Sequence, residues 1–479
     1  MSPPSSPSVP RRRSRTAVLA IAALTAVAVV GPVAGWAAAS QPDTASADRK
    51  SAYDTTRDYV IRYYPRFMSF TQESMGRPNT LVGPATMGPE YGVVVAVNDD
   101  TLYASAFVDV AEEPQVLTIP QPQTVYSLLT LDRFGNVFDT SIPSQGHGAF
   151  ALVPQGYSGT IPEGTTKVEL PLKRSLFIIR ADKYTSAGQN MTAQAEAFRS
   201  NLHLTSQSKY AANPDDGKTQ LLPIQALSTP MKTMTDTAAT ARSTQFLTQL
   251  QAGVNAPTTE LLDSSDQELK KAFDAAFGDA TAAAEKGDYG PLNTMTSATR
   301  DAHALITDRW TSHVDGNRWV HFDNAGRWGD SYLDRAAFNA YLQHGNDTRA
   351  AKYYQAFTDR IGATLDTGTT GFYTITFAKD QIPDAKRFWS LTAYTPDAVE
   401  LVPNSANKYV VASYTPDLQR NEDGSLTIWP AKTKPEQAPA ANWLPTPDGP
   451  FSVMLRVYGP TGNTEGTYAP PAVRAWGQL

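Results

Sequence analysis

The pattern of apolar and polar positions changes twice along the chain and predicts three regions. Residues 53–183 begin with a helical spacing over 53–70, which Pro65 interrupts. From about residue 83, short β-branched runs alternate with glycine and proline, and Gly92–Val97 is the most strand-like of them. We therefore predict that the first region is a β-sandwich domain.

The middle region, residues 184–310, has helical periodicity. Thr235–Ala252 and Ser297–Trp310 are read as helices. Another helix is expected to begin at Ser265, because a serine followed three residues later by Glu268 has the spacing of a capping box. We predict a helical subdomain here that packs on the β domains.

The last region, residues 311–479, returns to strict alternation and predicts a second β-sandwich. Gly371–Ala378 is one alternating strand. In the closing strand, Phe451, Val453, Leu455 and Val457 share one face, and Ser452, Met454, Arg456 and Tyr458 share the other. Arg456 is therefore excluded from the apolar layer, although its strand is otherwise apolar.

The first 40 residues predict an export signal. An arginine-rich start at residues 11–15 precedes a mostly apolar run over 17–30, which is shorter than the ~20 residues that span a bilayer. Small residues at 37–40 and again at 45–47 offer cleavage sites. We expect a secreted or cell-envelope protein with no stable membrane insertion after cleavage; an uncleaved N-terminal anchor is the alternative.

Composition narrows the possible partners and chemistry. The formal net charge is −6 and there is no basic stripe, so no nucleic acid is expected as a partner. The 479 residues include no cysteine, which excludes disulfides, thiolate metal sites and a cysteine nucleophile. His321 and Asp323 lack a nameable third ligand, so no metal and no cofactor is predicted. The oligomeric state is left open.

Two groups of motifs resemble known families. The first includes residues 98–105, Tyr126–Leu128 and Asp132–Asn136, and it is similar to the domain-of-unknown-function family numbered 1254. The second comprises Phe388–Thr392, Asp423–Ser425, Asn442–Pro445 and Arg456–Tyr458, and it resembles the family numbered 1214. The resemblance implies a mainly β protein with an N-terminal immunoglobulin-like β-sandwich, a helical subdomain and a C-terminal jelly-roll β-sandwich. It implies no established chemistry.

Paired carboxylates are one candidate for chemistry. A glycosidase needs two acids that face each other across the substrate, and Asp100 with Asp132, if they lie on neighbouring strands, would meet that need. The alternative is that Asn98 and Asp100 fasten a turn between two strands through bonds from side chain to backbone.

We predict that any ligand pocket lies where the two sandwiches meet. Arg456 must reach water, a carboxylate or a ligand, because burying an unpaired guanidinium is costly. The candidate ligand-binding residues are Asn98, Asp100, Thr101, Tyr103, Asp132, Arg456 and Tyr458. Two functions follow: an exported protein that binds a carbohydrate, lipid or other cell-envelope ligand, or a metal-independent hydrolase or lyase that uses Asp100, Asp132 and Tyr103 or Arg456.

Overall fold

The computed structural model describes residues 51–223, 229–260 and 263–477. The predicted signal peptide lies outside the described residues. Four β-sheets combine with helices, at 30% helix and 26% strand, so the β-rich class with helices is confirmed. No helix in the described ranges is long and apolar enough to cross a membrane.

The first helix, α1 (Ala52–Met75), confirms the predicted helix but continues through Pro65. The predicted interruption is therefore wrong. Proline removes one hydrogen bond of the helix, but Tyr59, Tyr63 and Phe67 lie four residues apart and all are buried. Packing of this face against later helices stabilises α1 enough to offset the lost bond.

Nine strands form two sheets in the first half of the described chain. The strands are β1 (Val82–Pro84), β2 (Thr101–Asp109), β3 (Gln115–Ile119), β4 (Tyr126–Leu131), β5 (Gly148–Pro154), β6 (Thr165–Leu170), β7 (Arg174–Asp182), β8 (His203–Ser206) and β9 (Gln220–Leu222). One sheet has the order β4-β7-β2-β1-β9 and the other β6-β5-β3-β8. Leu117 of one sheet and Ile179 of the other belong to a single apolar cluster, so the sheets share a core.

Gly92–Val97 is not a strand, which corrects the prediction for that segment. Ala96 has a φ of +54°, a left-handed conformation that breaks an extended run. Its backbone N–H donates to the carbonyl of Val399 at 3.1 Å. Val95 and Val97 are nevertheless buried, so the apolar residues correctly indicate burial but not backbone shape.

The helices that follow β7 pack in two ways: the first two lie on strands of the N-terminal sheets, and the five after them pack largely against α1 and one another. They are α2 (Thr192–Ser200), α3 (Gln207–Ala212), α4 (Met231–Ala241), α5 (Ser243–Asn255), α6 (Ser264–Glu285), α7 (Gly290–Thr311), α8 (Tyr332–Tyr341) and the short α9 (Thr367–Thr370). The helix predicted over 235–252 is divided at Arg242 into α4 and α5.

The capping box of α6 is present, but it lies two residues earlier than predicted. Asp263 is the N-cap residue, and its carboxylate accepts from the backbone N–H of Asp266 at 2.9 Å. The carboxylate of Asp266 accepts in return from the N–H of Asp263. An aspartate caps a helix as well as a serine does, so Asp263 replaces the predicted Ser265 in this role.

Eight strands form two further sheets near the C-terminus. The strands are β10 (Ala351–Ala356), β11 (Tyr373–Phe377), β12 (Ala385–Tyr394), β13 (Val410–Ala412), β14 (Leu426–Ala431), β15 (Trp443–Pro445), β16 (Ser452–Pro460) and β17 (Arg474–Ala475). Their orders are β10-β16-β12-β13 and β15-β14-β11-β17. A short 3-10 turn, Gly462–Thr464, follows β16.

The predicted alternation in β16 is confirmed, and both of its faces are covered. Val453 and Leu455 pack in the core shared by the two C-terminal sheets. Met454 and Tyr458 point the other way, into a core that includes α1, α7 and α8. Arg456 therefore lies on an interior face.

The division of the chain at residues 183 and 310 stays a prediction. Strands β8 and β9 fall within the range predicted as helical, yet they pair with β3 and β1 of the first two sheets.

Candidate functional site

Six of the seven candidate residues lie at the contact between the strand β2 region and strand β16. Asn98 organises them: its side-chain amide donates to the hydroxyl of Tyr458 at 2.8 Å, and its carbonyl oxygen accepts from Thr101. The backbone N–H of Asn98 donates to Tyr103 at 3.5 Å. We call this group, with Asp100 and Arg456, the junction cluster.

Asp100 is fully buried in the junction cluster. One carboxylate oxygen accepts from Ser390 at 2.8 Å, and the other accepts from the hydroxyl of Tyr414. Burial raises the pKa of Asp100, and the two hydroxyl donors partly oppose this shift. Both oxygens therefore have partners within the protein.

Arg456 is 1% exposed and lies beside Ser390 on the neighbouring strand β12. Its Nη2 donates to the carbonyl of Ala96 at 2.5 Å, and its guanidinium lies 5.3 Å from the ring centre of Tyr394. The left-handed turn at Ala96 is what presents this carbonyl to the arginine. The sequence predicts water, a carboxylate or a ligand as the partner of the Arg456 guanidinium. The hydrogen-bond partner observed for its Nη2 is instead a backbone carbonyl.

Asp132 lies at the opposite end of the sheet from Asp100, which corrects the expectation that the two come from neighbouring strands. Strand β7 lies between β2 and β4. Phe107 of β2 and Leu131 of β4 both pair with Leu176 of β7, so they lie at the same level of the sheet. Asp100 and Phe107 are seven positions apart along the chain, so the two levels are about 23 Å apart at ~3.3 Å per residue. Asp100 and Asp132 cannot flank one glycosidic bond.

Asp132 lines an open cleft of about 410 Å³, which we call the arginine cleft. Its charged residues are Arg62, Asp132, Asp263, Asp266, Asp330 and Arg335. Phe138 and Leu172 are among the apolar residues of its wall. Its volume is in the range of ordinary small-molecule sites, but with six charged residues among the fourteen that line it, the cleft is more charged than most of them.

Arg335 of α8 is the buried cation of the arginine cleft. It is 2% exposed, and its Nη2 donates to the carbonyl of Arg62 at 2.7 Å. Its Nε is buried and has no hydrogen-bond partner among the described residues. Burial lowers the pKa of Arg335, while the charge of Asp132 opposes this shift.

The second arginine of the cleft is held in place by carboxylates. The Nε of Arg62 lies 2.6 Å from Asp266, and its Nη2 donates to Asp263 and to Ser265. The guanidinium of Arg62 also lies 4.3 Å from the ring centre of Tyr332. Arg62 therefore has its carboxylate partners within the protein, whereas Arg335 forms no ion pair with a carboxylate among the described residues.

The carboxylate of Asp132 accepts hydrogen bonds from its own turn. Its carboxylate accepts from the N–H groups of Phe134 and Asn136, both at 2.8 Å, and from the side-chain amide of Asn136 at 2.6 Å. Burial raises the pKa of Asp132, and Arg335 lowers it in part. The carboxylate thus holds the turn 132–136 that forms one side of the cleft.

Sequence reasoning found Asp132 but missed the other charged residues of the cleft. Arg335 did carry a signal: it lies three residues after Tyr332 and four before Asn339, on the same face of α8. Arg62 lies within α1, among residues that are mostly buried. No group of three or more His, Asp or Glu residues within the described ranges is arranged to hold a metal ion.

Comparison with known proteins gives relatives of unknown function. No curated protein matches the chain. The crystal structure of the VPA0106 protein from Vibrio parahaemolyticus shares 19% identity with a TM-score of 0.54, over 88% of this chain and 99% of that one. A structure of an uncharacterized protein from Burkholderia cenocepacia shares 15% identity with a TM-score of 0.41, over 88% of this chain and 93% of that one. At 19% identity the likeness to the Vibrio protein concerns the fold alone.

Two family models match the chain, and both are described as proteins of unknown function. One matches residues 78–206 and the other residues 350–462. These ranges contain the two groups of motifs that the sequence resemblance identified. The chain therefore carries a DUF1254 region in its N-terminal half and a DUF1214 region in its C-terminal half.

Proposed function

We propose that the protein is an exported binding protein whose ligand occupies the arginine cleft. The observation that carries the proposal is the buried Arg335, which lines an open cleft and has an unused hydrogen-bond donor. Buried donors are nearly always satisfied in proteins, so an unused one beside a cleft indicates a partner from outside the chain. The ligand classes proposed are carbohydrates, lipids and other components of the cell envelope.

The junction cluster has a different role in this proposal. Its buried side chains bond to one another and to backbone carbonyls, as in Asn98 with Tyr458 and Arg456 with Ala96. We infer that the cluster fastens the DUF1254 region to the DUF1214 region. The case for a hydrolase or lyase is correspondingly weaker, because Asp100 and Asp132 are too far apart to act as a pair.

Location and finer architecture belong to the same proposal. The arginine-rich start, short apolar run and small residues before residue 48 support export. The apolar clusters that each pair of sheets shares support an immunoglobulin-like sandwich in the first half and a jelly roll in the second.

A cleft-blocking variant tests the function. Leu172 lines the cleft and is half-buried, whereas its neighbour Lys173 is exposed and is not among the residues that line it. Glycans, lipids and small metabolites are screened for a rise in the melting temperature of the mature protein, since a ligand that binds only the folded state stabilises it. Leu172→Trp should abolish the rise and Lys173→Trp should preserve it. A rise of equal size in both variants would place the ligand outside the cleft.

A further inference from the structure

We propose that the ligand of the arginine cleft is a zwitterion with an apolar part, bound through a carboxylate at Arg335 and an ammonium group at Asp263 and Asp330. This inference rests on the proposed function and names the chemical class of its ligand. It follows from how charge is distributed between the buried and the exposed residues of the cleft.

The buried part of the cleft offers a hydrogen-bond donor to a carboxylate. Arg335 uses Nη2 for the carbonyl of Arg62 and has an unpartnered Nε, so its guanidinium has spare capacity. A guanidinium binds carboxylates through paired N–H donors in one plane. The neighbouring carboxylates are committed: Asp132 holds its turn, and Asp266 is paired with Arg62 and accepts from Tyr63 at 2.9 Å. Arg335 is thus the group that an incoming anion would meet.

The exposed part of the cleft has the opposite sign. The side chain of Asp263 is 50% exposed, and Asp330 is also exposed. Asp263 and Asp266 both pair with Arg62. The carboxylate of Asp330 has one hydrogen bond among the described residues, which it accepts from the hydroxyl of Tyr332 at 3.2 Å. Asp263 and Asp330 thus place two carboxylates at the opening, and only part of the positive charge of Arg62 is available to balance them.

A zwitterion matches both the buried arginine and the exposed carboxylates of the cleft, whereas a ligand with a single charge matches one of them. The six charged residues of the cleft comprise four aspartates and two arginines, so a ligand with only a carboxylate is repelled at the opening. A ligand with only an ammonium group leaves Arg335 unsatisfied. The apolar wall, which includes Phe138 and Leu172, adds a surface for an apolar portion of the ligand.

Three probes of the same shape separate the charges. L-phenylalanine carries both groups, 3-phenylpropionate lacks the ammonium, and 2-phenylethylamine lacks the carboxylate. Isothermal titration of the mature protein at neutral pH and low salt should show L-phenylalanine binding about tenfold or more tightly than either analogue, because each charged hydrogen bond contributes at least that factor. Equal affinity of L-phenylalanine and either analogue, or no binding of L-phenylalanine, would overturn the inference.

Variants assign the two ends of the ligand. Asp330→Asn changes an exposed side chain, so the protein should stay folded; it should weaken L-phenylalanine severalfold and leave 3-phenylpropionate unchanged or tighter. Arg335→Gln should remove the binding of both acids, with circular dichroism as the check on folding. If Arg335→Gln does not fold, Asp330→Asn alone decides: an unchanged affinity for L-phenylalanine contradicts the proposal.

The proposed function can survive the failure of this inference. If neutral sugars or lipids stabilise the protein and Leu172→Trp abolishes their effect, the cleft is a binding site for another class of ligand. If no compound of the screen depends on Leu172, both proposals fall.

Discussion

The side-chain amide of Asn98 donates to the hydroxyl of Tyr458 at 2.8 Å and joins two positions that are 360 residues apart in sequence. Asn98 also fixes the start of β2, because its carbonyl oxygen accepts from the N–H groups of Asp100 and Thr101, each at 3.2 Å. The side-chain amide of Asn98 thus stabilises the turn before β2 and also holds that turn against β16. Burial makes these bonds consequential, since a donor left without its acceptor in the interior destabilises the fold.

We expect Tyr458→Phe to lower the free energy of unfolding by roughly 1–3 kcal/mol, because it removes the acceptor of the buried Asn98 amide. Urea unfolding of the mature protein measures the change. The control is Tyr409→Phe, whose hydroxyl makes a 3.4 Å bond to Asn407 at the surface and should matter much less. Equal effects of the two substitutions would contradict a fastening role for Asn98 and Tyr458.

Arg456→Met should also destabilise the fold. The substitution leaves the carbonyl of Ala96 without its donor and Asp100 without a nearby cation, and the first loss alone costs roughly 1–3 kcal/mol. Thermal unfolding in parallel with Arg420→Met provides the comparison, because within the described part of the chain the side chain of Arg420 makes one hydrogen bond, a 3.5 Å bond at the surface. A melting temperature that is unchanged or raised by Arg456→Met would instead support a ligand-anchoring role for this arginine.

The sequence shows which face of β16 holds Arg456, because side chains alternate strictly along a strand. It does not show what covers that face. The covering carbonyl belongs to Ala96, in a segment whose β-branched composition indicates a strand and whose actual shape depends on a bond to Val399. Propensity is local, whereas this contact joins segments hundreds of residues apart.

The arginine cleft was harder to predict for the same reason. Arg62, Asp132, Asp263 and Arg335 come from four separate parts of the chain, and only the packing of α1, α6 and α8 brings them together. Within α8 the spacing of Tyr332 and Arg335 places an arginine on a face that is otherwise suited to burial. The position of Arg335 in the sequence therefore indicates a site but does not show which residues contact it.

Asp263→Ala should destabilise the protein more than Ser265→Ala does. Asp263 caps α6 and accepts from the N–H of Asp266, and loss of an N-cap residue typically costs ~1 kcal/mol. Ser265 donates its hydroxyl to Asp263 and accepts from Arg62, but it caps no helix. Chemical unfolding of both variants measures the difference. A larger loss for Ser265→Ala would return the capping role to the serine.

Export makes a prediction at the N-terminus. Cleavage after the small residues should give a mature chain that begins between Ser40 and Asp48, recovered outside the cytoplasm. Intact-mass spectrometry of the protein from its native host, with fractionation of the cells, measures both. Recovery in the membrane fraction of a chain that begins before Ala17 would support the uncleaved anchor instead.

The last prediction concerns acid stability and His344. Burial, together with the charge of Arg180, lowers the pKa of His344 to about 3, and its Nε2 lies 3.1 Å from the side-chain oxygen of Gln72. An unfolded histidine has a pKa of about 6.5. Between these values the unfolded state binds a proton that the folded state does not, so the free energy of unfolding falls as the pH falls from about 6.5 toward 3, by up to ~1.4 kcal/mol per pH unit.

His344→Asn, a residue type that tolerates the left-handed φ of +61° at this position, should make that fall shallower even if it lowers stability at neutral pH. Urea unfolding from pH 7 to pH 4.5 measures the slope, and His147→Asn, at an exposed position, should leave it unchanged. Parallel slopes for the native protein and His344→Asn would show that this histidine does not resist protonation in the fold.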